Sequence, residues 1–302
     1  MTSWDTIDGR LPRTATLRWG ENLSLVLTNH EEFGADYQAW VKELDGWVGG
    51  VDVHAENTQR TLSHGLFPAP SLRTGRVLNL EGYLFFGSER DRSIAERFIS
   101  GVLGDGEFGT LTYRTETMPE LTSTVKLDGA IKPTYYDLDT LEFQIPLIAA
   151  DPFLYGTEQR FVTYPAGLNT GLRYPLFGTT MGGTEGVISF GKPNPNVRAV
   201  IQNQGNATAY PKFRAVGNFP SGFKITDAHR RVIEYPVPVF TNSPVEIDTA
   251  DGSIIQNGYD QSGRASRREW FSIEPGATNS YTIDSFQPGD GHLETIHRDT
   301  YL

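Results

Sequence analysis

Apolar and polar residues alternate along most of this chain, and a period of two is the mark of a half-buried strand. The pattern is clear in Ala15-Thr16-Leu17-Arg18-Trp19 and in Leu23 to Thr28, and again in Trp40 to Leu44. Gly46 to Val53 continues the strand-like run, with glycines suited to a bulge or a close backbone approach. Residues 57–75 are polar and carry Pro68 and Pro70, which predicts a long loop. Arg76 to Phe86 is a strong strand, with Val77, Asn79 and Glu81 on one side and Leu78 and Leu80 on the other. The period then changes. Ile94, Ala95, Phe98, Ile99, Val102 and Leu103 form one apolar stripe, predicting a helix over about 89–103. Ser88 is placed to cap it, Asp91 to complete a capping box, and Gly104 to end it.

Strands resume at Gly109 to Arg114, Leu121 to Leu127 and Thr140 to Ile148, the last with Leu141, Phe143, Ile145 and Leu147 all on one face. Asp151-Pro152 forces an extended or turning backbone and marks a domain edge. Beyond it, residues 156–196 are rich in Gly, Thr, Pro and Asn. From Val197 short strands and turns follow at the spacing of a β-sandwich. Asn257-Gly258 is the dipeptide of a two-residue hairpin. Gln287 to Leu302 reads as a polar tail, either free or laid on a neighbour. The expected fold class is mainly β: a β-rich α+β domain with one main helix over 1–155, and a β-sandwich over 156–302 with that tail.

The chain has 302 residues, enough for two domains with sizeable cores. It has no cysteine, which removes disulfides, thiolate metal sites and cysteine nucleophiles from consideration. No run of apolar residues is long enough to span a membrane, and Met1-Thr2-Ser3-Trp4-Asp5 lacks the pattern of a cleaved signal. The expectation is a protein made in a cytoplasm that does not insert into a membrane. A net charge of −11 opposes tight nucleic-acid binding, although it suits a duct through which DNA slides.

Candidate chemistry is sparse. His30-Glu31-Glu32 lacks the second histidine of a zinc protease helix, and His54, His64 and His229 stand apart from one another. His292 and His297, with Glu294 between them, would bind metal only on a helix, and exposed tail residues are the plainer expectation. Gly191-Lys192-Pro193 is no phosphate loop, and no nucleophile elbow is present. Asp248 to Gly252 lacks the later ligands of a calcium loop and reads as a hairpin turn. Trp4, Trp19, Trp40, Trp47 and Trp270 are candidates for a sugar-stacking platform, although a tryptophan in an alternating strand is more often core. Arg264, Arg267 and Arg268 form a short basic cluster suited to a subunit contact or a solvated loop. The sequence thus assigns no catalytic, cofactor-binding or metal-ligating residue, and the chain is expected not to be an enzyme.

An ordered set of features resembles the siphophage distal tail (Dit) proteins and their minor-tail relatives. Ala150-Asp151-Pro152-Phe153 to Tyr155 looks like that family's boundary between halves. Asn203-Gln204-Gly205 through Pro211 to Gly217 looks like the entry to its second half. Val245 to Asp248, Asn257-Gly258, and Trp270 through Pro275-Gly276 to Asn279 look like its closing run. The resemblance covers about residues 145–285 and is looser before them. It implies a hexameric ring subunit of the virion's tail tip or baseplate, with a galectin-like second domain. The implied partners are the tail tube protein and the tail hub or tail-associated lysin. DNA would pass through the lumen without specific binding. The stretches 57–75 and 165–196 have no family counterpart and suit inter-subunit arms. Two other readings remain: a β-sandwich carbohydrate- or receptor-binding protein of the tail tip, and a cell-wall glycan hydrolase needing two facing carboxylates.

Overall fold

A computed structural model describes residues 13–28, 38–166 and 196–302. Trp4, the His30 triplet, the Gly191 segment and most of 165–196 lie outside the described residues. The chain divides into two compact units, residues 1–157 with Tyr301–Leu302, and Glu158–Thr300. It is mainly β, with one α-helix among the described residues.

The first unit contains β1 (Arg13–Trp19), β2 (Leu23–Thr28), β3 (Gln38–Asp45), four two-residue strands β4 (Val53–His54), β5 (Thr58–Gln59), β6 (Leu66–Phe67) and β7 (Leu72–Arg73), and β8 (Arg76–Phe85). Helix α1 (Glu89–Ser100) follows, then β9 (Phe108–Thr115), β10 (Leu121–Leu127), β11 (Lys132–Tyr135), β12 (Thr140–Ala149) and β13 (Leu154–Tyr155). One antiparallel sheet runs in the order β2-β1-β9-β10-β12-β8-β3, with β11 added on β12. Its longest ladder, from Thr140↔Phe85 to Ala149↔Arg76, uses the whole of β12 and β8. Leu78, Leu80 and Leu84 of β8, Leu141, Phe143, Ile145 and Leu147 of β12, and Trp19, Leu25, Leu27 and Trp47 fill the core. Each such side chain contributes ~1.5–3 kcal/mol by leaving water.

Ser88 accepts a hydrogen bond from the Asp91 amide, as expected of the cap, and Ala95 and Ile99 enter the core. The helix ends earlier than its apolar stripe predicts, at Ser100 rather than 103. Gly101 turns the chain, Leu103 takes a left-handed φ of 50°, and Val102 and Leu103 are buried from this turn rather than from a helix. The predicted strand 46–53 is also corrected: β3 stops at Asp45, because Gly46 (φ 77°) passes so close to β8 that a Cβ there would lie 2.1 Å from the Val77 carbonyl oxygen. The predicted loop 57–75 is instead a hairpin arm. Val53↔Arg73 and His54↔Leu72 pair near its root, Thr58↔Phe67 and Gln59↔Leu66 near its tip.

The second unit is a β-sandwich. Its strands are β14 (Gln159–Thr163), β15 (Ala199–Gln202), β16 (Lys212–Val216), β17 (Phe223–Asp227), β18 (Val232–Tyr235), β19 (Val245–Asp248), β20 (Ser253–Gln256), β21 (Tyr259–Asp260), β22 (Arg267–Arg268), β23 (Thr278–Ser285) and β24 (His292–His297), while β25 (Thr300–Tyr301) pairs with β13 in the sheet of the first unit. Six strands pair as β14-β24-β16-β19-β20-β21 and five as β15-β23-β17-β18-β22. Phe213, Phe219, Phe223, Phe271, Tyr235 and Tyr281 dominate the core between them. Phe213 and Tyr281 meet edge-on at 5.0 Å between ring centroids, a favoured aromatic geometry. Asn257 (φ 52°) and Gly258 (φ 77°) close the β20–β21 hairpin as predicted, both left-handed as a type I′ turn requires. The predicted polar tail is corrected: residues 292–297 form β24, paired on both sides to β14 and β16.

Arg76 begins β8 and is almost wholly buried. Its Nη1 donates to the carbonyls of Gly46 (2.7 Å) and Trp47 (3.1 Å), and its Nε to that of Pro152 (2.9 Å). Arg76→Ala would leave three carbonyls, that of Trp47 buried and those of Gly46 and Pro152 partly so, without this donor, each loss costing on the order of 1 kcal/mol or more. We therefore expect the first unit to lose about 3 kcal/mol in urea unfolding; an unchanged midpoint would remove Arg76 from that role.

Candidate assembly surfaces

The outward side chains of β1, β2, β9 and β10 make a face that the strand register assembles. One row across the four strands is Val26, Thr16, Thr112 and Thr122; the next is Ser24, Arg18, Thr110 and Thr124. Thr28, Thr14 and Arg114 form a third, and Phe108 opposes Lys126 beyond them. Threonine suits this surface because its branched Cβ favours strand geometry while its hydroxyl stays hydrated. Thr112 and Thr122 bring their hydroxyls to 3.4 Å. No carboxylate points outward from these four strands, and their charges are Arg18, Arg114 and Lys126, each exposed. An acidic protein thus presents a neutral-to-basic hydroxyl face.

The outer face of β3, β8 and β12 differs. Lys42 bridges Glu81 (3.1 Å) and Glu142, and Glu81 also accepts hydrogen bonds from Asn79 (2.9 Å) and Gln144 (3.0 Å). The hydrogen bond from Lys42 to Glu142, and then the one to Glu81, raises the lysine well above its ordinary range, so it stays charged. Beside this network Trp40 meets Phe85 edge-on at 5.1 Å, and Tyr83 lies 6.5 Å from the exposed Tyr136. Helix α1 is clasped to β11 where Tyr135 donates to Glu96 (2.9 Å) and Arg92 stacks over the Tyr135 ring at 4.3 Å. A groove of about 430 Å³ runs beside this clasp, floored by Ile99, Leu127 and Ile131. Another, of about 420 Å³, lies at the root of the arm between Leu44, Val48, Tyr113 and Met118, with Glu43, Asp45 and Arg13 at its edge.

In the second unit the outer face of the six-stranded sheet is laced with ion pairs. Arg160 pairs with Glu158 and Glu294, Arg214 with Glu246 and Glu294, and Lys212 with Asp248. They border a shallow hollow of about 390 Å³ whose apolar part includes Ile255 and Ile296. Exposed pairs of this kind are worth little individually, and Phe213, the aromatic residue lining the hollow, is buried and offers no platform.

Two buried polar residues hold the sandwich where ladders do not reach. Asn203 donates to the carbonyls of Ala207 (2.7 Å) and Ile273 (3.1 Å) and accepts from the amides of Gly205 (3.0 Å) and Thr300 (3.3 Å). Gly205 must be glycine there, since a Cβ would lie 1.8 Å from the Thr300 carbonyl oxygen. Asp227 has a fully buried side chain that accepts from the Arg231 guanidinium (2.8 Å) and from the amides of His229 (2.9 Å) and Arg231 (2.8 Å). Arg231 in turn donates to the Trp270 carbonyl (3.2 Å), tying the β17–β18 turn to the strand-like run at 270–273.

The residues singled out from the sequence scatter. His292 points outward from β24 while His297 points into the sandwich, its Nε2 3.2 Å from Asp299, so the strand separates the pair. His54 and His64 are exposed on the arm, and His229 sits in the β17–β18 turn. Asp248 and Asp251 spend oxygens on the amides of Ala250 and Ser253, as a turn does. Trp19 and Trp47 are core residues, and Trp40 and Trp270 are half-buried. Arg264 follows β21 in a 3-10 turn, and Arg267 and Arg268 form the edge strand β22, with Arg267 held by Glu269 at 2.8 Å. Sequence reasoning missed Arg76 and the Lys42–Glu81–Glu142 network. The polar positions facing outward beside Leu78 and Leu80 were the available signal for the latter.

No protein-family model matches the sequence, and no curated protein matches it. Solved structures match its fold. The Dit protein of phage SPP1, described as a paradigm of the hub adsorption apparatus in phages that infect Gram-positive bacteria, aligns with a TM-score of 0.56 at 14% identity. That alignment covers 87% of this chain and 94% of the SPP1 protein. A protein of the phage P2 baseplate in its activated conformation with calcium aligns at TM-score 0.46 and 12% identity, over 94% of this chain and 97% of that one. The strontium form of that baseplate gives the same values. The chain therefore has a Dit-type fold, as its turns and strand order suggested.

Burial alone would raise the Asp227 carboxyl, but hydrogen bonds from the Arg231 side chain and backbone and from Asn279 outweigh it and hold the group below its ordinary value. The stabilisation this brings is full above the unfolded value near pH ~3.9 and is lost as pH falls through the lower folded value. We expect Asp227→Asn to melt lower than the parent at pH 7 and to lose less stability than the parent below about pH 4. Parallel acid curves for the two proteins would rule this linkage out.

Proposed function

We propose that this chain is a structural, non-enzymatic subunit of a long-tailed bacteriophage tail tip: a distal-tail or minor-tail protein forming a ring, with six copies as the expected number. The observation that carries the reading is the fold shared with SPP1 Dit over 87% of the chain and 94% of that protein. In this role the subunit joins the tail tube protein to the tail hub or tail-associated lysin. DNA passes through the ring lumen without specific binding. The virion's tail tip is the protein's location, with assembly in the host cytoplasm and no insertion into a membrane.

The surfaces described above support the reading. A ring subunit needs broad faces and sheet edges that become buried on assembly, and such interfaces are self-complementary or head-to-tail. The threonine face, the aromatic outer face of β3–β8–β12 and the apolar arm are of that kind, and none converges on a reacting centre. The carbohydrate-binding alternative has no observation in its favour, because the four described tryptophans are buried or half-buried.

The test is native mass spectrometry of the purified protein, alone and with the tail-hub protein, followed by electron microscopy of any assembly. A closed ring of six copies with a central hole is the expected result. A protein that stays monomeric under both conditions would overturn the proposal.

A further inference from the structure

The arm between β3 and β8 is an ordered hairpin with an apolar surface and no core of its own. Its root is fixed: Trp47 and Val51 are buried, Arg76 grips the Gly46 and Trp47 carbonyls, and the Thr74 amide donates to the Asp52 carbonyl at 2.9 Å. Beyond the root, the two short ladders and the Arg60-to-Gly65 backbone bond (3.1 Å) keep its strands paired to the tip. Yet Leu62 is 99% exposed, Leu72 69% and Phe67 59%, with Leu66 and Val53 also open to solvent. Arg60 stacks over the Phe67 ring at 5.1 Å, placing a cation beside this apolar surface. A hairpin of two strands is marginal alone, so an ordered hairpin with this much exposed apolar surface gains stability by burial against something else.

Charge points to what covers it. The arm as a whole is charge-balanced, with Asp52 and Glu56 on its first half against Arg60 and Arg73, but its tip, residues 57–70, carries Arg60 and His64 and no acidic residue in a chain of net charge −11. The complementary surface is therefore acidic and apolar, which this protein itself supplies. The groove at the arm root offers Leu44, Val48 and Met118, with Glu43 and Asp45 against a single Arg13 at its edge. Glu116 and Glu120 stand exposed in the turn that carries Met118. We propose that the arm tip of one subunit docks in the arm-root groove of a second copy. The twelve residues from Val51 to Leu62 are eleven steps apart and reach at most ~40 Å, enough to cross from one subunit to the next. Because tip and groove are different surfaces, the contact is head-to-tail and propagates around a closed ring. The inference rests on the ring reading for its geometry and adds the segment that links neighbouring subunits.

The absence of cysteine makes the test clean. Ser63→Cys, exposed at the tip, is labelled with a benzophenone maleimide, irradiated, digested and mapped. Cross-links from residue 63 to residues 43–48 or 113–118 of a second copy are expected, with intermolecular origin shown by mixing light and isotope-labelled protein. In parallel, Leu62→Ser with Phe67→Ser should weaken self-association roughly 100-fold, as removing two exposed apolar anchors predicts, with an unchanged far-UV circular dichroism spectrum showing that the subunit still folds. A ring of full size whose cross-links fall elsewhere overturns the arm contact and leaves the ring reading standing. Cross-linked pairs at the groove without a closed ring support the contact and count against the ring. A monomer with no intermolecular cross-link overturns both.

Discussion

Buried and half-buried backbone carbonyls away from a ladder still need donors, and in the first unit Arg76 serves three of them. Its planar guanidinium reaches Gly46, Trp47 and Pro152 together, which a lysine ammonium on a single flexible stem would not do with the same geometry. Burial lowers the arginine's proton affinity, but an arginine remains charged in proteins, so the carbonyl dipoles compensate a full cation. Three features follow from that grip. The chain leaves β3 at Gly46 and re-enters at β8 in fixed register, the Pro152 segment is tethered to the same point, and the arm is anchored without a core of its own. The arm's outer surface is thereby released from structural duty, so its apolar side chains can face outward.

The second unit solves the same problem with an amide. Asn203 can donate twice and accept at one oxygen, and it uses these capacities to bind the 205–207 loop, the Ile273 carbonyl and the Thr300 amide at one buried point. Gly205 is part of the same joint, because Thr300 packs where any Cβ would stand. The Asn-x-Gly spacing that resembled the family's second-half entry is thus a joint between the sandwich's first loop and its last residues. Asp299 extends it by accepting from the Gln204 amide at 2.8 Å.

What the sequence disclosed depended on which residues face inward. In β8 and β12 most inward positions are leucine, isoleucine or phenylalanine, with Arg76, Gly82 and Ala149 the exceptions, so alternation gave the strands nearly to the residue. In β24 the inward positions are Leu293, Thr295 and His297, two of them polar, and the same alternation was invisible. The helix was overextended because Val102 and Leu103 continue its apolar stripe while entering the core from a turn. The arm escaped notice because its ladders are two residues long and interrupted by Pro68 and Pro70. Surfaces were less legible still. Thr14, Thr16, Thr110, Thr112, Thr122 and Thr124 lie in three separate stretches of sequence, and only the register of β1, β9 and β10 sets them side by side.

Net charge also proves a coarse guide to a protein like this one. A value of −11 suggests a uniformly acidic body, yet some surfaces carry cations and no carboxylate. Arg18, Arg114 and Lys126 stand on a face without outward carboxylates, and Arg60 on an arm tip without acids. Elsewhere, Lys42, Arg160, Arg214 and Arg231 are consumed by internal ion pairs. Like-charged subunits repel over a Debye length of ~8–10 Å, and self-association must overcome that repulsion. In the proposed assembly a cationic surface of this kind turns the same charge into a directional attraction, because it meets an acidic body only in particular orientations. On the proposed ring reading, the cations of the threonine face and the arm tip would help set the orientation of assembly, while the acidic remainder would discourage other contacts.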